Sequence, residues 1–264
     1  MSRCSPATTT PTVPTGSAPP RRPKVPGGPQ TQHGGPPAAL LARAVTGLDP
    51  QRTVGRFTME LLGPVPVAPV EVQAAVVRPG RTVSMVEATL FDSGRGRACA
   101  RATAWLFPTT QGGPEAAAPA PSASPADVVT RDLPPAWSGG YLDSIEWRWV
   151  KGGFDEAGPG TVWMRPGAQL VAGEPMSPLQ RLLTCVDSAS GISSVLPLAE
   201  WRFLNTELTV HLLRQPVGDW VCVDATTTLG GGSVGLATSD VYDEQGLVAR
   251  SAQALLVARR RAGD

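Results

Sequence analysis

Imidazole and thiol side chains are scarce in this sequence: 264 residues contain two histidines and four cysteines, and no two of Cys4, Cys99, Cys185 and Cys222 form a Cys-x-x-Cys pair. That scarcity leaves no zinc-site spacing and suggests no disulfide framework, so no metal, no cofactor and a reducing cytoplasm are the expectations. Long apolar runs are missing as well. No stretch reaches the roughly 18 residues of a membrane span and no signal-peptide core follows the start, so neither is expected. An excess of one charge is also absent. The formal net charge is +1 from 23 basic and 22 acidic residues, which offers nucleic acid no electrostatic handle.

Proline and glycine are plentiful, 28 and 29 residues, and unevenly spread. Eight of the prolines fall in the first thirty positions, beside Arg3, Arg21, Arg22 and Lys24 and no acid. Residues 1–32 therefore read as a disordered tail, since they cannot bury enough to offset their ordering entropy. Residues 109–136 read as a second such segment, a Pro- and Ala-rich linker too poor in large apolar groups to pack. Two ordered units remain, 33–108 and 137–264.

Both units follow one plan. In the first, Pro36 and Pro37 suit a helix's first turn, Leu40, Leu41, Ala44 and Val45 form its apolar stripe and Gly47 ends it. Strands are expected at 56–62, 70–77, 82–91 and 98–107. In the second, a strand pair near 145–150 and 161–164 precedes a helix at 177–189 and strands at 204–213, 220–228, 234–242 and 247–257. RGRACARATAWLF aligns with EQGLVARSAQALLV by placing Gly96 on Gly246, and Pro37 falls on Pro178. A repeat of this size implies a duplicated α+β fold, one helix and one curled antiparallel sheet per copy.

Two polar residues of the second copy stand on faces meant for the core. Ser177, Pro178 and Gln180 spell a capping box, which sets the phase of the helix and makes Leu179, Leu182, Leu183 and Val186 its buried stripe. Asp187 then lies at the edge of that stripe, facing the sheet. In the last strand Gln253 shares a face with Leu247, Ala249, Leu255 and Val257. A buried carboxylate and a buried amide both need partners, and each is the other's obvious one. In the first copy Thr46 and Thr103 stand at the equivalent positions, so any chemistry belongs to the second.

Several motif-like features carry less. Gly231-Gly232-Ser233-Val234-Gly235 has the letters of a nucleophile elbow, but a strand follows it where that elbow needs a helix, and no histidine comes later. Gly230, Gly232 and Gly235 match a dinucleotide-binding glycine pattern with the same defect. Both are read as a turn. His33 is read as a surface or cap residue before the helix, and Arg259, Arg260 and Arg261 as a solvated end.

The phrases QHGGPPAALLARA, LNTELTVHLLRQPVGDW and VYDEQGLVARSAQALLV resemble the acyl-CoA thioesterase II family over about residues 32–260. The resemblance implies a double hotdog fold, in which a long helix is wrapped by an antiparallel sheet twice in one chain. It also implies hydrolysis of acyl-CoA by a water held at an Asp, a Thr and a Gln, which fall on Asp187, Thr206 and Gln253. Asn205 and Thr209 are the neighbouring choices for the middle position, and Gly55 stands opposite Thr206 in the first copy. Backbone amides at Gly34 and Gly35 are the expected oxyanion donors. The implied partner is an acyl-CoA substrate, and a homo-oligomer is compatible with the sequence. Two rivals are a non-catalytic acyl-CoA binding protein and a hotdog hydratase or dehydratase, which wants a histidine beside the carboxylate. One departure stands out: no good strand precedes His33, where a complete first unit should have one.

Overall fold

Alternation decides which side of each strand is buried, and Ser84–Asp92 shows it cleanly, with every second residue inward from Ser84 to Asp92. The computed structural model describes residues 7–9, 30–110, 112–114, 117–134, 137–197 and 200–260. Its elements are β1 (Ala7–Thr9), α1 (Gly35–Leu48), β2 (Arg52–Leu61), β3 (Val70–Arg78), β4 (Ser84–Asp92), β5 (Arg97–Pro108), β6 (Ile145–Lys151), β7 (Gly160–Pro166), α2 (Pro178–Val186), α3 (Ala189–Ile192), β8 (Trp201–Asn205), β9 (Glu207–Leu212), β10 (Val221–Leu229), β11 (Val234–Asp243) and β12 (Gly246–Arg259).

The twelve strands form one antiparallel sheet in the order β1-β3-β4-β5-β2-β9-β12-β11-β10-β7-β6, with β8 also on β12. Among the described residues, first-half and second-half strands meet at one seam, β2 against β9, where Thr58 faces Thr209 and their hydroxyls hydrogen-bond at 3.2 Å. The helices α1 and α2 lie on the buried face. In α1, Ala38, Ala39, Leu40, Leu41, Ala42 and Val45 are at most 2% exposed, so the helix is apolar almost all round, as one enclosed by sheet and a second helix must be. Burying Leu40 and Leu41 contributes about 1.5–3 kcal/mol each. α2 buries seven of its residues, from Leu179 and Gln180 to Val186.

The capping box forms as read: Gln180 N–H donates to Ser177 Oγ at 3.2 Å, and Ser177 N–H donates to Gln180 Oε1 at 2.5 Å. The expected helix 177–189 is nevertheless two pieces, because α2 stops at Val186 and α3 starts at Ala189, with Asp187 and Ser188 turning between them. The expected strand 204–213 is also two. Pairing with β12 slips by one residue across Thr206, from Leu255 opposite Asn205 to Ala252 opposite Thr209. The Glu207 carboxylate makes the slip affordable by accepting the Ala254 N–H at 2.8 Å, which the displaced backbone no longer reaches.

Two segments taken for unpacked chain are partly tied down. Ala7–Thr9 pair with β3, and Gln32 N–H donates to Val65 O at 2.8 Å while Val67 N–H donates to Gln30 O at 2.9 Å; residues 1–6 and 10–29 lie outside the described residues. β1 thus stands against β3 as β7 stands against β10, supplying the strand that the sequence seemed to lack. The linker is held through backbone carbonyls, with Leu133 also packed against the core. Trp163 Nε1 donates to Ala123 O at 2.8 Å and the Arg148 guanidinium to Pro125 O at 2.6 Å. The glycine run 230–232 is a turn from β10 to β11, with Gly231 at φ 80. Arg259 lies over the Trp201 ring at 5.2 Å; Arg261 is outside the described residues.

Candidate active site

Asp187 sits where α2 ends, with its side chain only 3% exposed, and three donors from separate elements converge on its carboxylate. His33 Nδ1 is 2.9 Å from Oδ2. Asn205 Nδ2 donates to Oδ1 at 2.8 Å, and Gln253 Nε2 reaches the same oxygen at 3.4 Å. This satisfaction is what a buried anion requires. The N-terminus of α1 adds to it, since Gly34 and the helix start lie against the carboxylate and the positive end of a helix dipole favours negative charge.

Two glycines make that approach possible. A Cβ on Gly34 would lie 2.8 Å from both oxygens of Asp187, and one on Gly35 would lie 2.2 Å from the Thr184 carbonyl oxygen. The helix start is also short of donors by design of its sequence. Pro36 and Pro37 have no N–H, and Ala38 N–H is spent on Gly34 O at 3.0 Å, so the first-turn amides left over are those of Gly34 and Gly35. Gly35 N lies 3.4 Å from His33 Nδ1. One nitrogen cannot accept from Gly35 and donate to Asp187 at once. The 2.9 Å contact with a carboxylate is the stronger, so Nδ1 carries the proton and the Gly35 amide stays free.

Tyr141 braces this arrangement. Its ring stacks on His33 with centroids 4.0 Å apart and planes 4° from parallel, and its hydroxyl donates to Thr184 O at 2.8 Å beside Ser188 Oγ at 2.9 Å. Burial, with the neighbouring Cys185 and Asp187, holds that phenol well above its usual range despite the opposing hydrogen bond to Ser188, so it remains a donor.

A cavity of about 770 Å³ opens onto the group, with Asp187, His33, Gly34 and Asn205 in its wall. Gln253 is fully buried but is not in that wall. Its Nε2 donates to the Asp187 carbonyl at 3.0 Å and its Oε1 accepts from Ser190 N–H at 3.2 Å, so the amide clasps the α2–α3 turn from behind. Thr206 is exposed at the cavity's mouth, and its hydroxyl donates to Ala254 O at 3.3 Å. The residue on the carboxylate is Asn205, because the slip at Glu207 leaves Asn205 inward and turns Thr206 outward. His33, which the sequence presents as a surface or cap residue, lies instead on the carboxylate, and the signal for it is its place before a Gly-Gly-Pro-Pro helix start. Among the described residues no group of three or more His, Cys, Asp or Glu could hold a metal ion.

Residues 22–107 match the acyl-CoA thioesterase N-terminal domain and residues 114–257 the acyl-CoA thioesterase C-terminal domain. No curated protein matches at the level of sequence. Solved structures do. A protein of Thermobifida fusca YX, provisionally assigned as a thioesterase II, is 22% identical with a TM-score of 0.69, covering 87% of this chain and 88% of that one. The acyl-CoA thioesterase II TesB2 of Mycobacterium marinum is 18% identical with a TM-score of 0.65, over 86% and 89%. A protein of unknown function with a hot dog fold, from Alicyclobacillus acidocaldarius, is 20% identical with a TM-score of 0.65, over 88% of both chains. At these identities the likeness concerns the fold.

Proposed function

The chain belongs to the acyl-CoA thioesterase family, with an α+β hotdog fold, and from that premise we propose that it splits acyl-CoA into free acid and CoA with a water activated at Asp187. We read the halves as two hotdog units in tandem, a reading supported by β1 standing to β3 as β7 does to β10. The observation that carries the mechanism is one buried carboxylate in a cavity wall, held by His33 from the first half and Asn205 and Gln253 from the second.

In this reading Asp187 takes a proton from water as the oxygen attacks the thioester carbonyl. Asn205 donates to the carboxylate with Nδ2, leaving its amide oxygen to accept the water's other hydrogen. Charge developing on the carbonyl oxygen is met by the spare amides of Gly34 and Gly35. When the C–S bond breaks, CoA leaves as thiolate and the proton held at Asp187 returns to it. Gln253 acts through Asp187 as a positioning residue, because its amide is committed to the turn.

Thiol release from a panel of acyl-CoAs tests this, with Asp187→Asn expected to lower kcat/KM at least a hundredfold by loss of base catalysis. An unchanged rate removes Asp187 from the mechanism, and tight binding without turnover in the native protein favours a binding role. The 2.9 Å pairing of His33 with Asp187 supplies the histidine a hydratase needs, so that reading has an observation behind it too. Water addition to crotonyl-CoA without thiol release would establish it.

A further inference from the structure

Besides Phe203 of β8, four aromatic side chains line the same cavity as Asp187: Trp147 and Trp149 from β6, Phe154 from the loop after it and Trp137 from the segment before. They form one cluster. The Phe154 ring stands edge-on to Trp147 at 5.3 Å and 73° and to Trp149 at 5.2 Å and 76°, with Trp137 tilted against it at 5.5 Å. Leu142 and Ile192 complete this part of the wall. Two of the indoles are anchored by their polar ends, Trp147 Nε1 on Leu142 O and Trp137 Nε1 on Asp155 Oδ1, each at 3.0 Å. Trp147 and Trp137 are therefore set before any ligand arrives, while the buried Trp149 Nε1 has no partner among the described residues, and a ligand that complements the fixed rings loses little affinity to ordering.

We propose that the acyl group taken by this cavity carries an aromatic ring, as in an arylalkanoyl thioester, in preference to a saturated straight chain. The proposal rests on the thioesterase reading of the cavity. Any apolar acyl group gains from leaving water against these walls, so burial alone does not discriminate. A flat ring adds edge-to-face contacts with preset aromatic neighbours, which an alkyl chain of equal carbon number cannot make. Two such contacts correspond to a preference of about tenfold. The charged side chains in the cavity wall, Asp187 and Arg202, stand on elements other than those that carry the four rings, and the Asp155 carboxylate on Trp137 is outside that wall.

The test compares phenylacetyl-CoA with octanoyl-CoA, which have equal acyl carbon counts, on the full chain. The proposal expects kcat/KM about tenfold higher for phenylacetyl-CoA, with Phe154→Leu reducing the ratio to about twofold or less while keeping an apolar side chain there. A ratio at or below one in the native protein overturns it. Dissociation constants for the uncleavable thioethers S-(2-phenylethyl)-CoA and S-octyl-CoA, read from tryptophan fluorescence, separate this from failure of the hydrolysis reading. If no thioester is cleaved, tenfold tighter binding of the phenylethyl compound still upholds the ring preference. Equal or weaker binding overturns it.

Discussion

Thr46 near the end of α1 and Asp187 at the end of α2 occupy equivalent places in the repeat, yet they spend their polar atoms in opposite ways. Thr46 Oγ1 donates back into its own helix, to Ala42 O at 2.8 Å and Arg43 O at 3.2 Å. Asp187 accepts only from outside its helix, from His33, Asn205 and Gln253. The first copy has kept the scaffold and closed it on itself. What that copy lends instead is its helix start, where His33, Gly34 and Gly35 reach the other copy's carboxylate. The carboxylate and two of its donors thus belong to one half, and the imidazole and the glycine helix start to the other.

That division can be broken at either end. The largest effect belongs to the charge, through the loss of at least a hundredfold set out for Asp187→Asn. Next is Gly34→Ala, which adds a methyl group 2.8 Å from both carboxylate oxygens, in the half whose own helix carries Thr46 in place of the acid. It should cut kcat/KM about tenfold or more by displacing the carboxylate, while thermal unfolding shows the fold retained. Asn205→Ala should cost about tenfold, whereas Thr206→Ala should stay within about twofold, since that hydroxyl meets only a backbone carbonyl. Equal effects at 205 and 206 would contradict the slip in β8–β9.

The halves also differ at their matching hairpins. Asp92, before β5, accepts from Gly94 N–H at 3.0 Å and Arg95 N–H at 3.2 Å, a local turn. Asp243, before β12, accepts from Val217 and Gln245 N–H and from Arg214, tying the end of β9 to the hairpin. Burial opposes ionisation of Asp243, yet the Arg214 guanidinium and two backbone amides outweigh it and hold the carboxyl below its ordinary range. A folded-state pKa below the unfolded value means stability present above the unfolded pKa and lost as pH falls through the depressed one. Arg214→Gln should therefore cost about 2–3 kcal/mol near neutrality, less than a fully buried pair because Arg214 is part-exposed, and acid unfolding should begin at higher pH. Urea midpoints across acidic pH measure both. The smallest effect is Thr46→Ala, expected under about 1 kcal/mol and neutral for turnover.

What could be read from the sequence was what short-range physics fixes. Ser177 and Gln180 cap each other across three residues, so helix phase and the inward place of Asp187 followed directly. Gln253 was legible because strand alternation is local. Asn205 was not the first choice, because which of two adjacent residues faces in depends on Glu207 capturing the Ala254 N–H, an event between strands. His33 was illegible because its partner lies 154 positions away, and only the packing of α1's start on α2's end joins them. The described parts of the tail and linker are held in good part through backbone groups that bond to distant strands, which composition does not reveal.

The seam between β2 and β9 has a bearing on how activity arises in time. Its register, from Arg56 opposite His211 to Glu60 opposite Glu207, joins residues about 150 apart in sequence, and such pairings close late because long loops must be ordered first. Each half can gather its local hairpins early. Only once the halves align does an imidazole from one meet a carboxylate from the other. On the proposed mechanism turnover is therefore expected of the joined chain alone, its return on refolding marking the last step of assembly rather than the first.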